Sequence, residues 1–445
     1  MSEPNMWAGT DAIKSQGLLP GREASGVVLG TCDGEPLIDT TLKPVVALGP
    51  CRSGKTTSII VPSLLTWQHS AVVLDIGGEL FNLTERWRRV EAHNVIRRVQ
   101  FMDSASLDSY NFLEAIRQDT PHELSDIAAL ANAFVPDDKG DGPHIADARA
   151  LLTLLMIAAL SVNKSACMAD VYEVLKSSDR IDAIIEAHLK FNFDSEVFEA
   201  AQEIATALAE LDDWTRATIA QIAAGALIPF ACPAIAENTH RCTFSLTELQ
   251  SPVPTTVYLT VMPHELGLLR PLIRAFLEQF TRVGTQDRVQ ADAKHVLLLL
   301  DDVVALGRLD FLDDKLASLA ESGIKPMLAV QSVDHLESLY GPDNDIWSRC
   351  AIRVILRMNQ VSAAEHAANA ICDSLALGAG GPFSRKPILP AELMQMRQDE
   401  AFILGAEGQP LHTVVRPYFR DPVYQGRVGT HKTYSNLRDA VGSAH

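Results

Sequence analysis

The chain has 445 residues, 47% of them hydrophobic and 21% charged, a composition typical of a globular protein of two or three domains. Its formal net charge of −18 argues against a protein that coats nucleic acid, because phosphate binding requires clustered lysine and arginine. The net charge is still compatible with DNA bound in a narrow channel lined by a few basic residues, or with a partner that has a basic face.

The sequence carries no N-terminal segment of the basic and apolar kind that directs secretion, so we expect a cytoplasmic protein. The longest nearly uncharged apolar run, residues 150–162, has thirteen residues, which is too short to span a bilayer and indicates a buried helix. Seven cysteines occur without a CxxC pair, so the sequence indicates neither a zinc site nor a disulfide framework.

The first strong motif follows a loop-rich N-terminal region in which residues 26–30 and 36–38 predict two short strands. Residues 49–56 match the pattern G-x-x-x-x-G-K-[ST] of a phosphate-binding loop. The apolar run at 44–48 predicts a buried strand before this loop, and residues 57–61 can open a helix after it. A chance match in a tight turn is the alternative, but a strand, a glycine-rich turn and a helix in succession are the context that the motif requires.

Each part of this loop has a predicted role in binding a nucleoside triphosphate. Glycines let the backbone pass close to phosphate, and the amide groups at the start of the helix supply partial positive charge. Lys55 is expected to reach the β- and γ-phosphates, and the Thr56 hydroxyl is expected to bind Mg²⁺. The predicted nucleotide-binding residues are Gly49, Pro50, Cys51, Arg52, Ser53, Gly54, Lys55, Thr56 and Thr57.

After the loop, the pattern alternates between strands and helices. Residues 70–75 and 95–102 predict strands, and residues 81–92 between them predict a helix with a basic face. Repeated strand–helix–strand units imply a parallel sheet with helices on both faces, whose ligands bind at the carboxyl ends of the strands. Asp75 and the phosphate-binding loop both fall at that edge of the predicted sheet.

The strand signal disappears between about residues 144 and 238, where apolar residues recur at helical spacing. Residues 140–245 contain fifteen acidic residues against seven lysines and arginines. This stretch indicates an acidic, all-α insert within an α/β domain. Its leucine and alanine stripes predict the core of a helical bundle, and an exposed recognition surface is the alternative.

Strand patterns return at residues 256–261, and residues 268–283 predict a helix. Four leucines at 297–300 then end in Asp301 and Asp302, a pattern that resembles a Walker B strand. Asp301 would orient Mg²⁺ and its waters, and Asp302 occupies the position of a carboxylate that polarises the attacking water. A helix N-cap pair after a buried strand is the alternative.

The next predicted strand ends in Gln331. Its amide can sense the γ-phosphate or hold the lytic water, and it can equally cap the helix that follows, so both interpretations stay open. We therefore predict Lys55, Asp302 and Gln331 as catalytic residues, and Thr56 with Asp301 as the metal site.

Strands predicted at residues 351–357 and 400–404 complete the sheet. The predicted organisation is an N-terminal strand and loop region at 1–43, a nucleotide-binding domain in two parts at 44–143 and 246–422, the all-α insert at 144–245, and a flexible tail at 423–445.

In this order the motifs resemble those of a known family. The chain resembles the coupling-protein ATPases of conjugation and type IV secretion, the TraG-like family, which are relatives of FtsK/HerA-type motors. The resemblance covers about residues 17–422. The residues that carry it are 49–56 and 60–67, 75–79 with Leu83, Thr84 and Arg86, 110–113, 254–263, Asp301 and Asp302 with 305–308, Gln331 and Ser332 with 339–341, and 387–393.

This resemblance implies an α/β P-loop NTPase of the RecA/FtsK-like type, with a mostly parallel sheet and an inserted all-α domain. It implies ATP and Mg²⁺ as cofactors and a homo-oligomeric ring, usually a hexamer, with nucleotide at the subunit interfaces. It also implies work at the inner face of a bacterial membrane, beside the channel ATPases and inner-membrane components of type IV secretion. There the ring would recruit a relaxase–DNA complex or protein effectors through its all-α domain, and single- or double-stranded DNA is a further expected partner.

Three departures from the family pattern bear on function. The family's N-terminal transmembrane segments do not precede the loop, so we expect a cytoplasmic protein held at the inner membrane by its partners, or one that works in the cytosol. The family's usual Asp-Glu pair is Asp301-Asp302 here, and aspartate is one methylene shorter. Gly77 replaces the lysine of the D-x-K-G-E signature, and residues 320–323 lack the arginine that some members offer to the neighbouring site.

The absent arginine matters for the rate of hydrolysis. An arginine supplied in trans stabilises transition-state charge and can contribute on the order of 10³-fold or more. Slow hydrolysis is therefore expected unless another arginine substitutes. Arg349, Arg353 and Arg357 follow the Gln331 strand and are candidates, although ordinary surface or sheet-end charges are the favoured interpretation of each.

Three functional hypotheses follow. The favoured one is an ATP-hydrolysing coupling motor for conjugative DNA or protein export, because the whole motif set occurs in order. The second is a nucleotide-binding recruitment adaptor with little turnover, motivated by Asp302, Gly77 and the absent arginine. The third is a cytosolic DNA translocase or helicase of the same superfamily. DNA-stimulated multiple turnover would reject the adaptor, and directional movement along DNA without a secretion partner would favour the translocase.

Overall fold

The structure is a computed structural model, and it describes residues 7–136, 142, 144–190, 195–286, 295–379, 387–405 and 409–429. Within these residues, eleven strands form one sheet in the order β2-β1-β11-β10-β9-β3-β8-β7-β4-β6-β5. The strands are β1 Val27–Cys32, β2 Glu35–Asp39, β3 Val45–Leu48, β4 Ser70–Ile76, β5 Val95–Val99, β6 Thr255–Val261, β7 Val296–Leu300, β8 Ile324–Val330, β9 Ile352–Leu356, β10 Glu400–Leu404 and β11 Leu411–Val414.

Seven strands, from β9 to β5 in this order, run parallel, and the four at the other side pair antiparallel. The central strands are buried along almost their whole length because helices cover both faces of the sheet. Their uninterrupted apolar runs made them recognisable in the sequence. The predicted α/β fold with a mostly parallel sheet is confirmed.

The helices follow the strands along the chain and are numbered in chain order. They are α1 Thr10–Ser15, α2 Val61–Leu64, α3 Glu79–Val90, α4 Glu123–Phe134, α5 Ile145–Val162, α6 Met168–Leu175, α7 Ser178–Lys190, α8 Glu196–Ala209, α9 Asp213–Ala226, α10 Pro233–Asn238, α11 Leu266–Gln286, α12 Asp310–Asp314, α13 Ser318–Glu321, α14 Val333–Tyr340, α15 Ile346–Arg349, α16 Val361–Ala379, α17 Pro390–Gln395 and α18 Pro422–Arg427.

Two hydrophobic cores lie on opposite faces of the sheet. Successive side chains of β4 point to opposite faces, so this strand contributes to both cores. Val72 and Leu74 pack into the core that includes α4, α5 and α11, whereas Ala71 and Val73 pack into the core that includes α2 and the N-terminal hairpin β1–β2. The sheet therefore separates the helical insert from the helix that follows the phosphate-binding loop.

The described chain is helical from α4 to α10, as the sequence predicts for the insert. Helix α4, before residue 144, packs against both α5 and α11, and the core of these helices is continuous with that of the sheet. The boundaries at 144 and 245 stay a prediction.

Helix α5 extends the predicted apolar run to eighteen residues, beginning at Ile145. It is the one helix in the described part of the chain that is long and apolar enough, by length and composition, to cross a membrane. More than half of that window is buried inside the fold, as in the core helix of a bundle, so its apolar character is accounted for by packing.

Two features differ from the predictions. Strand β11 was not predicted; it joins the N-terminal hairpin to the main sheet, with the Thr31 hydroxyl donating to the Val414 carbonyl at 2.9 Å. The flexible tail predicted from residue 423 begins instead with helix α18, because Tyr424 is buried and its hydroxyl lies 3.3 Å from that of Thr66. Residues 430–445 of the predicted tail lie outside the described residues.

Candidate functional site

The phosphate-binding loop begins where β3 ends, between β8 and β9. The Gly49 amide donates to the Val330 carbonyl at 3.1 Å, which anchors the loop to the neighbouring strand. A Cβ atom on Gly49 would lie 2.5 Å from the Ser53 hydroxyl and 3.1 Å from Leu356 Cβ, so the close fold of the loop requires glycine. Gly54 has a φ of +96°, in the left-handed region that glycine adopts without strain.

A helix starts directly after the loop, with a wide first turn at Thr56–Ile60 that continues into α2. The Ser58 amide donates to the Gly54 carbonyl at 2.8 Å, so the helical hydrogen bonds begin inside the motif. A helix N-terminus at this point favours a bound anion.

The Lys55 ammonium group is held by its own loop. Its Nζ donates to the Gly49 carbonyl and, at 3.1 Å, to the Pro50 carbonyl, and the side chain is buried. Burial lowers the pKa of this lysine, and the carboxylates of Asp301 and Asp302 oppose that effect by favouring the charged form. A cation is therefore in place beside both carboxylates.

Asp301 directly follows β7, opposite the start of the helix. Its Oδ2 accepts a hydrogen bond of 3.0 Å from the Thr56 hydroxyl. Burial raises the pKa of Asp301, while the bond from Thr56 and the charge of Lys55 lower it. A hydroxyl and a carboxylate in direct contact are the oxygen ligands that Mg²⁺ takes beside phosphates, so the predicted metal pair fits such an ion.

Asp302 and Gln331 face each other. The Gln331 amide Nε2 lies 3.2 Å from each carboxylate oxygen of Asp302. Asp302 has a φ of +55° and begins a short 3₁₀ turn, but its side chain makes no capping bond within the described chain. The cap of α14 is Ser332, whose hydroxyl accepts from the His335 amide at 3.3 Å. The structure therefore contradicts the alternative in which the Asp302 and Gln331 side chains cap the helices that follow them.

These groups surround a cavity of about 490 Å³ at the carboxyl edge of the sheet. Gln331 reaches it because β8 lies between β3 and β7, so the loop, Gln331 and the two aspartates end side by side. The lining residues are Cys51, Arg52, Ser53, Gly54, Lys55, Thr56, Thr57, Ile76, Asp301, Asp302 and Gln331. Gly49 and Pro50 belong to the base of the loop, and Ile76, which the sequence did not single out, follows Asp75 at the end of β4.

The loop has an unused polar atom that suits an anion. The Ser53 hydroxyl is buried and has no hydrogen-bond partner among the described residues. Together with the glycine-dependent fold of the loop and the Lys55 ammonium, this atom indicates a cradle shaped for phosphate oxygens.

Asp75 lies at the predicted edge but does not enter the cavity. Its carboxylate accepts from the amides of Leu80 at 2.9 Å and Phe81 at 3.0 Å, at the start of α3, so it binds this helix instead of the ligand. Burial raises the pKa of Asp75 to about 6. Glu79, four residues later, is close enough to Asp301 for its charge to raise the pKa of Asp301. The acidic neighbour that the 75–79 motif brings to the site is therefore Glu79.

The three candidate arginines have partners within their own chain. Arg349 donates to the Asp313 carbonyl and pairs with Asp345 at 2.8 Å. Arg353 donates to the Cys350 carbonyl at 3.1 Å, and Arg357 to the Met394 carbonyl at 3.2 Å. These contacts agree with the interpretation of all three as surface or sheet-end charges.

Residues 7–373 match the family model described as "Type IV secretory system Conjugative DNA transfer". The chain is 30% identical to a conjugal transfer protein TraG of Escherichia coli over 341 residues, 72% of this chain and 54% of TraG. It is 26% identical to protein VirD4 of Agrobacterium fabrum, over 75% of this chain and 51% of VirD4. The chain thus spans about half the length of these relatives.

Solved structures of the plasmid coupling protein TrwB are similar in fold. The complex with a non-hydrolysable GTP analogue gives a TM-score of 0.67 at 16% identity, covering 94% of this chain and 95% of TrwB. The complex with ADP and Mg²⁺ gives 0.66 at 16% identity over the same shares of the two chains. These likenesses confirm the P-loop NTPase fold.

Proposed function

Because the chain belongs to the family of type IV secretory system conjugative DNA transfer proteins, we propose that it binds and hydrolyses ATP as a coupling protein of such a system. The observation that carries the proposal is one cavity in which the Thr56–Asp301 pair and the Asp302–Gln331 pair lie beside Lys55. A phosphate cradle, a metal pair and a water-activating pair are the parts that ATP hydrolysis requires.

ATP would bind with its phosphates in the loop. The backbone amides and the helix start would receive the phosphate oxygens, and the Ser53 hydroxyl would gain the partner that it lacks. Lys55 would exchange the Gly49 and Pro50 carbonyls for the β- and γ-phosphates. The carbonyl contacts keep the ammonium group ordered before nucleotide arrives.

Thr56 and Asp301 would hold Mg²⁺, as their contact suggests. The ion supplies positive charge that neutralises the phosphates during transfer. Asp301 serves as a ligand when ionised, and the raised pKa makes its ionisation depend on the cations beside it. The TrwB structure solved with ADP and Mg²⁺ supports Mg²⁺ as a cofactor.

Asp302 and Gln331 would act on the attacking water. In the present geometry the Gln331 amide spans both oxygens of Asp302, which orients the carboxylate and leaves its outer lone pairs to accept a proton. The shorter aspartate requires the water to sit close to β7. Arg52 and Lys55 are the cations among the described lining residues, so these two side chains would supply the positive charge that faces the phosphates.

The cargo and the assembly are part of the same proposal. We place the protein as a homo-hexamer at the inner membrane, bound through partners, where it delivers a relaxase–DNA complex or protein effectors to the secretion channel. The family description names conjugative DNA transfer, and the relatives named above are conjugal transfer proteins or VirD4. The acidic all-α insert would be the recruiting surface.

The proposal is tested by ATP hydrolysis of purified Lys55→Ala and Asp301→Ala variants. Each change removes a group that contacts the phosphates or the metal, so we expect the rate to fall by at least about 100-fold. Lys190→Ala is the matched control, because Lys190 is exposed on α7 and pairs with Glu186 at 2.8 Å, far along the chain from the loop. Rates in both site variants equal to that of the control would show that the proposed site does not hydrolyse ATP.

A low-turnover nucleotide-binding adaptor is the second candidate. The observation in its favour is that Gln331 occupies both oxygens of Asp302, a carboxylate already one methylene short of the family's glutamate. Tight ATP binding with less than one phosphate released per protomer would support it, and DNA-stimulated multiple turnover would reject it.

A further inference from the structure

The arginine of the phosphate-binding loop has an unusual backbone conformation. Arg52 has a φ of +64°, in the left-handed region that residues other than glycine rarely adopt. The Ser53 amide donates to the Pro50 carbonyl at 3.2 Å, which closes a turn with Cys51 and Arg52 at its tip. Glycine would take this position without strain, so an arginine here indicates a role for its side chain.

The two cations of the loop differ in what holds them. Lys55 is buried, and its ammonium group already donates to two carbonyls of the loop. Arg52 is exposed, and among the residues that the structure describes its guanidinium has no hydrogen bond or ion pair. The Arg52 side chain lines the same cavity as Asp302 and Gln331. It is therefore a positive group that is free to contact a ligand in that cavity.

The other candidate arginines do not line this cavity. Arg349, Arg353 and Arg357 each donate to a backbone carbonyl elsewhere in the chain. Within the described lining, Arg52 is the one arginine. Arg52 thus brings an arginine to a site for which residues 320–323 supply none.

We propose that Arg52 is a catalytic residue, which stabilises the γ-phosphoryl group during its transfer from the ATP bound to the same protomer. A planar guanidinium can donate two parallel hydrogen bonds to phosphate oxygens, and it keeps its positive charge at physiological pH. An arginine with this role can come from the same chain as the bound nucleotide or from a neighbour. Because Arg52 belongs to the loop that holds the phosphates, it is supplied by the same chain.

This role of Arg52 rests on the proposed ATP hydrolysis and adds the cation that meets the charge of the transition state. The water oxygen forms a bond to the γ-phosphorus while the bond from that phosphorus to the bridging oxygen breaks. ADP leaves with the electron pair of the broken bond, and the water proton passes to the Asp302 carboxylate. Arg52 donates to oxygens of the γ-phosphoryl group during this exchange. A contact that strengthens as the bond breaks raises turnover more than it raises affinity for ATP.

Arg52→Gly tests this role, because glycine suits the φ of +64° and preserves the fold of the loop. We expect turnover at saturating ATP to fall at least about 100-fold, while the affinity for ADP stays within about twofold. Arg52→Lys keeps the charge without the planar fork and should recover part of the rate. The matched control is Arg180→Ala, which removes an exposed arginine from α7 and should leave the rate unchanged. Parent-like turnover in Arg52→Gly would refute the role.

A transition-state analogue gives a second readout that does not need turnover. ADP with aluminium fluoride and Mg²⁺ mimics the phosphoryl group in transfer, so a site that stabilises this state binds it more tightly than ADP. By competition with a fluorescent ADP, we expect a gain of at least about tenfold in the parent chain and below about twofold in Arg52→Gly. An equal gain in both chains would overturn the assignment of Arg52 alone. A parent chain with neither this gain nor phosphate release would overturn the proposed hydrolysis, and the role of Arg52 with it.

Mixed particles separate action within one protomer from action on a neighbour. Arg52→Gly and Lys55→Ala are co-expressed with different affinity tags, and particles that carry both tags are purified. An arginine acting on the neighbouring site would restore phosphate release, because the Lys55→Ala chain can offer its Arg52 to the intact loop beside it. We expect the mixed particles to be no faster than Arg52→Gly alone, and recovery toward the parent rate would overturn action within one protomer. If the tags do not copurify, parent turnover per protomer that stays constant on dilution supports the same conclusion, and turnover that falls overturns it.

Discussion

At the scale of single residues, the contact between Asp302 and Gln331 defines the side of the cavity where we propose that hydrolysis takes place. Asp302 takes a left-handed backbone conformation, φ +55°, which is uncommon outside glycine and holds its carboxylate toward β8. Gln331 then meets both oxygens at 3.2 Å. The length of the acidic side chain at position 302 determines how far its carboxylate extends past the Gln331 amide.

Replacement of Asp302 by glutamate extends the carboxylate by one methylene toward the position of the attacking water. We expect Asp302→Glu to raise the turnover number by about tenfold, because general-base efficiency depends on contact with the proton that is removed. The measurement is steady-state phosphate release at saturating ATP, with Asp179→Glu on α7 as a surface control. An unchanged or lower rate would argue that Asp302 does not occupy the catalytic position.

Asp75 gives a pH-dependent contribution to stability. Burial raises the pKa of Asp75 from the ordinary aspartate value of about 3.9 to about 6 in the folded protein, so the folded chain binds the proton more tightly than the unfolded chain. This group therefore adds stability as the pH falls from about 6 to about 4, and the added stability is lost again as the pH rises. The shift corresponds to about 3 kcal/mol at most.

An Asp75→Asn variant removes this titration while keeping an oxygen that can accept from Leu80 or Phe81. We expect the difference in unfolding free energy between the parent chain and the variant to change with pH between about 4 and 6, in the direction that favours the parent at the acid end. Chemical unfolding at several pH values measures it, and Asp179→Asn is the exposed control. A difference that is constant over this range would show that Asp75 does not titrate there.

At the scale of elements, Arg88 fastens α3 to the strands beside it. It is fully buried and donates to the carbonyls of Leu64 and Trp67 at 3.1 and 2.7 Å, to Thr256 Oγ1 at 2.7 Å and to Asn94 Oδ1 at 3.0 Å. These partners lie at the end of α2, after α3 and at the start of β6. One side chain thus ties the phosphate-binding side of the sheet to its neighbouring helix.

Loss of this side chain leaves several buried acceptors without a donor. We expect Arg88→Met to lower the free energy of unfolding by roughly 3 kcal/mol or more, because buried oxygens that lose a charged donor are costly. Arg89→Met is the adjacent control: Arg89 has a 60% exposed side chain and a surface pair with Glu85, so we expect a change within about 0.5 kcal/mol. Equal stabilities in urea titrations of the two variants would contradict this account.

Elements with a strong local sequence pattern were predicted, whereas elements with a weak sequence pattern were missed. The long buried strands and α11 stand out because their apolar runs or stripes continue for many residues. Strand β11 has only four residues and alternates between buried and exposed positions, so its existence depends on pairing with β1 and β10. Helix α18 is similarly short, and its burial depends on contacts with residues more than 300 positions earlier.

At the scale of the whole molecule, a buried ion pair holds the N-terminal hairpin to the centre of the sheet. The buried Lys325 on β8 binds the Asp39 carboxylate and, at 2.7 Å, the Thr41 carbonyl, so the N-terminal hairpin is held to the strand that carries Gln331. The nucleotide cavity is left open at the carboxyl edge, where a neighbouring protomer can reach it.

We expect ATP to promote a closed ring, because the family resemblance places nucleotide at the subunit interfaces and a ligand bound across an interface stabilises the assembly. Sedimentation with a non-hydrolysable ATP analogue and Mg²⁺ should give a particle of six times the protomer mass. Lys55→Ala, which weakens phosphate binding, should stay smaller under the same conditions. A parent chain that remains monomeric with saturating nucleotide would refute the ring.

The local chemistry of the chain was enough to predict the strand, loop and helix around residues 49–56, the strand that ends before Asp301 and the helical stretch between β5 and β6, because each depends on neighbouring residues and their periodicity. Strand order depends on packing between distant segments. This packing places β8 between β3 and β7, so that Gln331 contacts Asp302. Packing also turned Asp75 toward the start of α3, buried Arg88 and brought α4 against α11. Those arrangements follow from the free energy of burying surfaces from separate parts of the chain, which no local pattern of residues encodes.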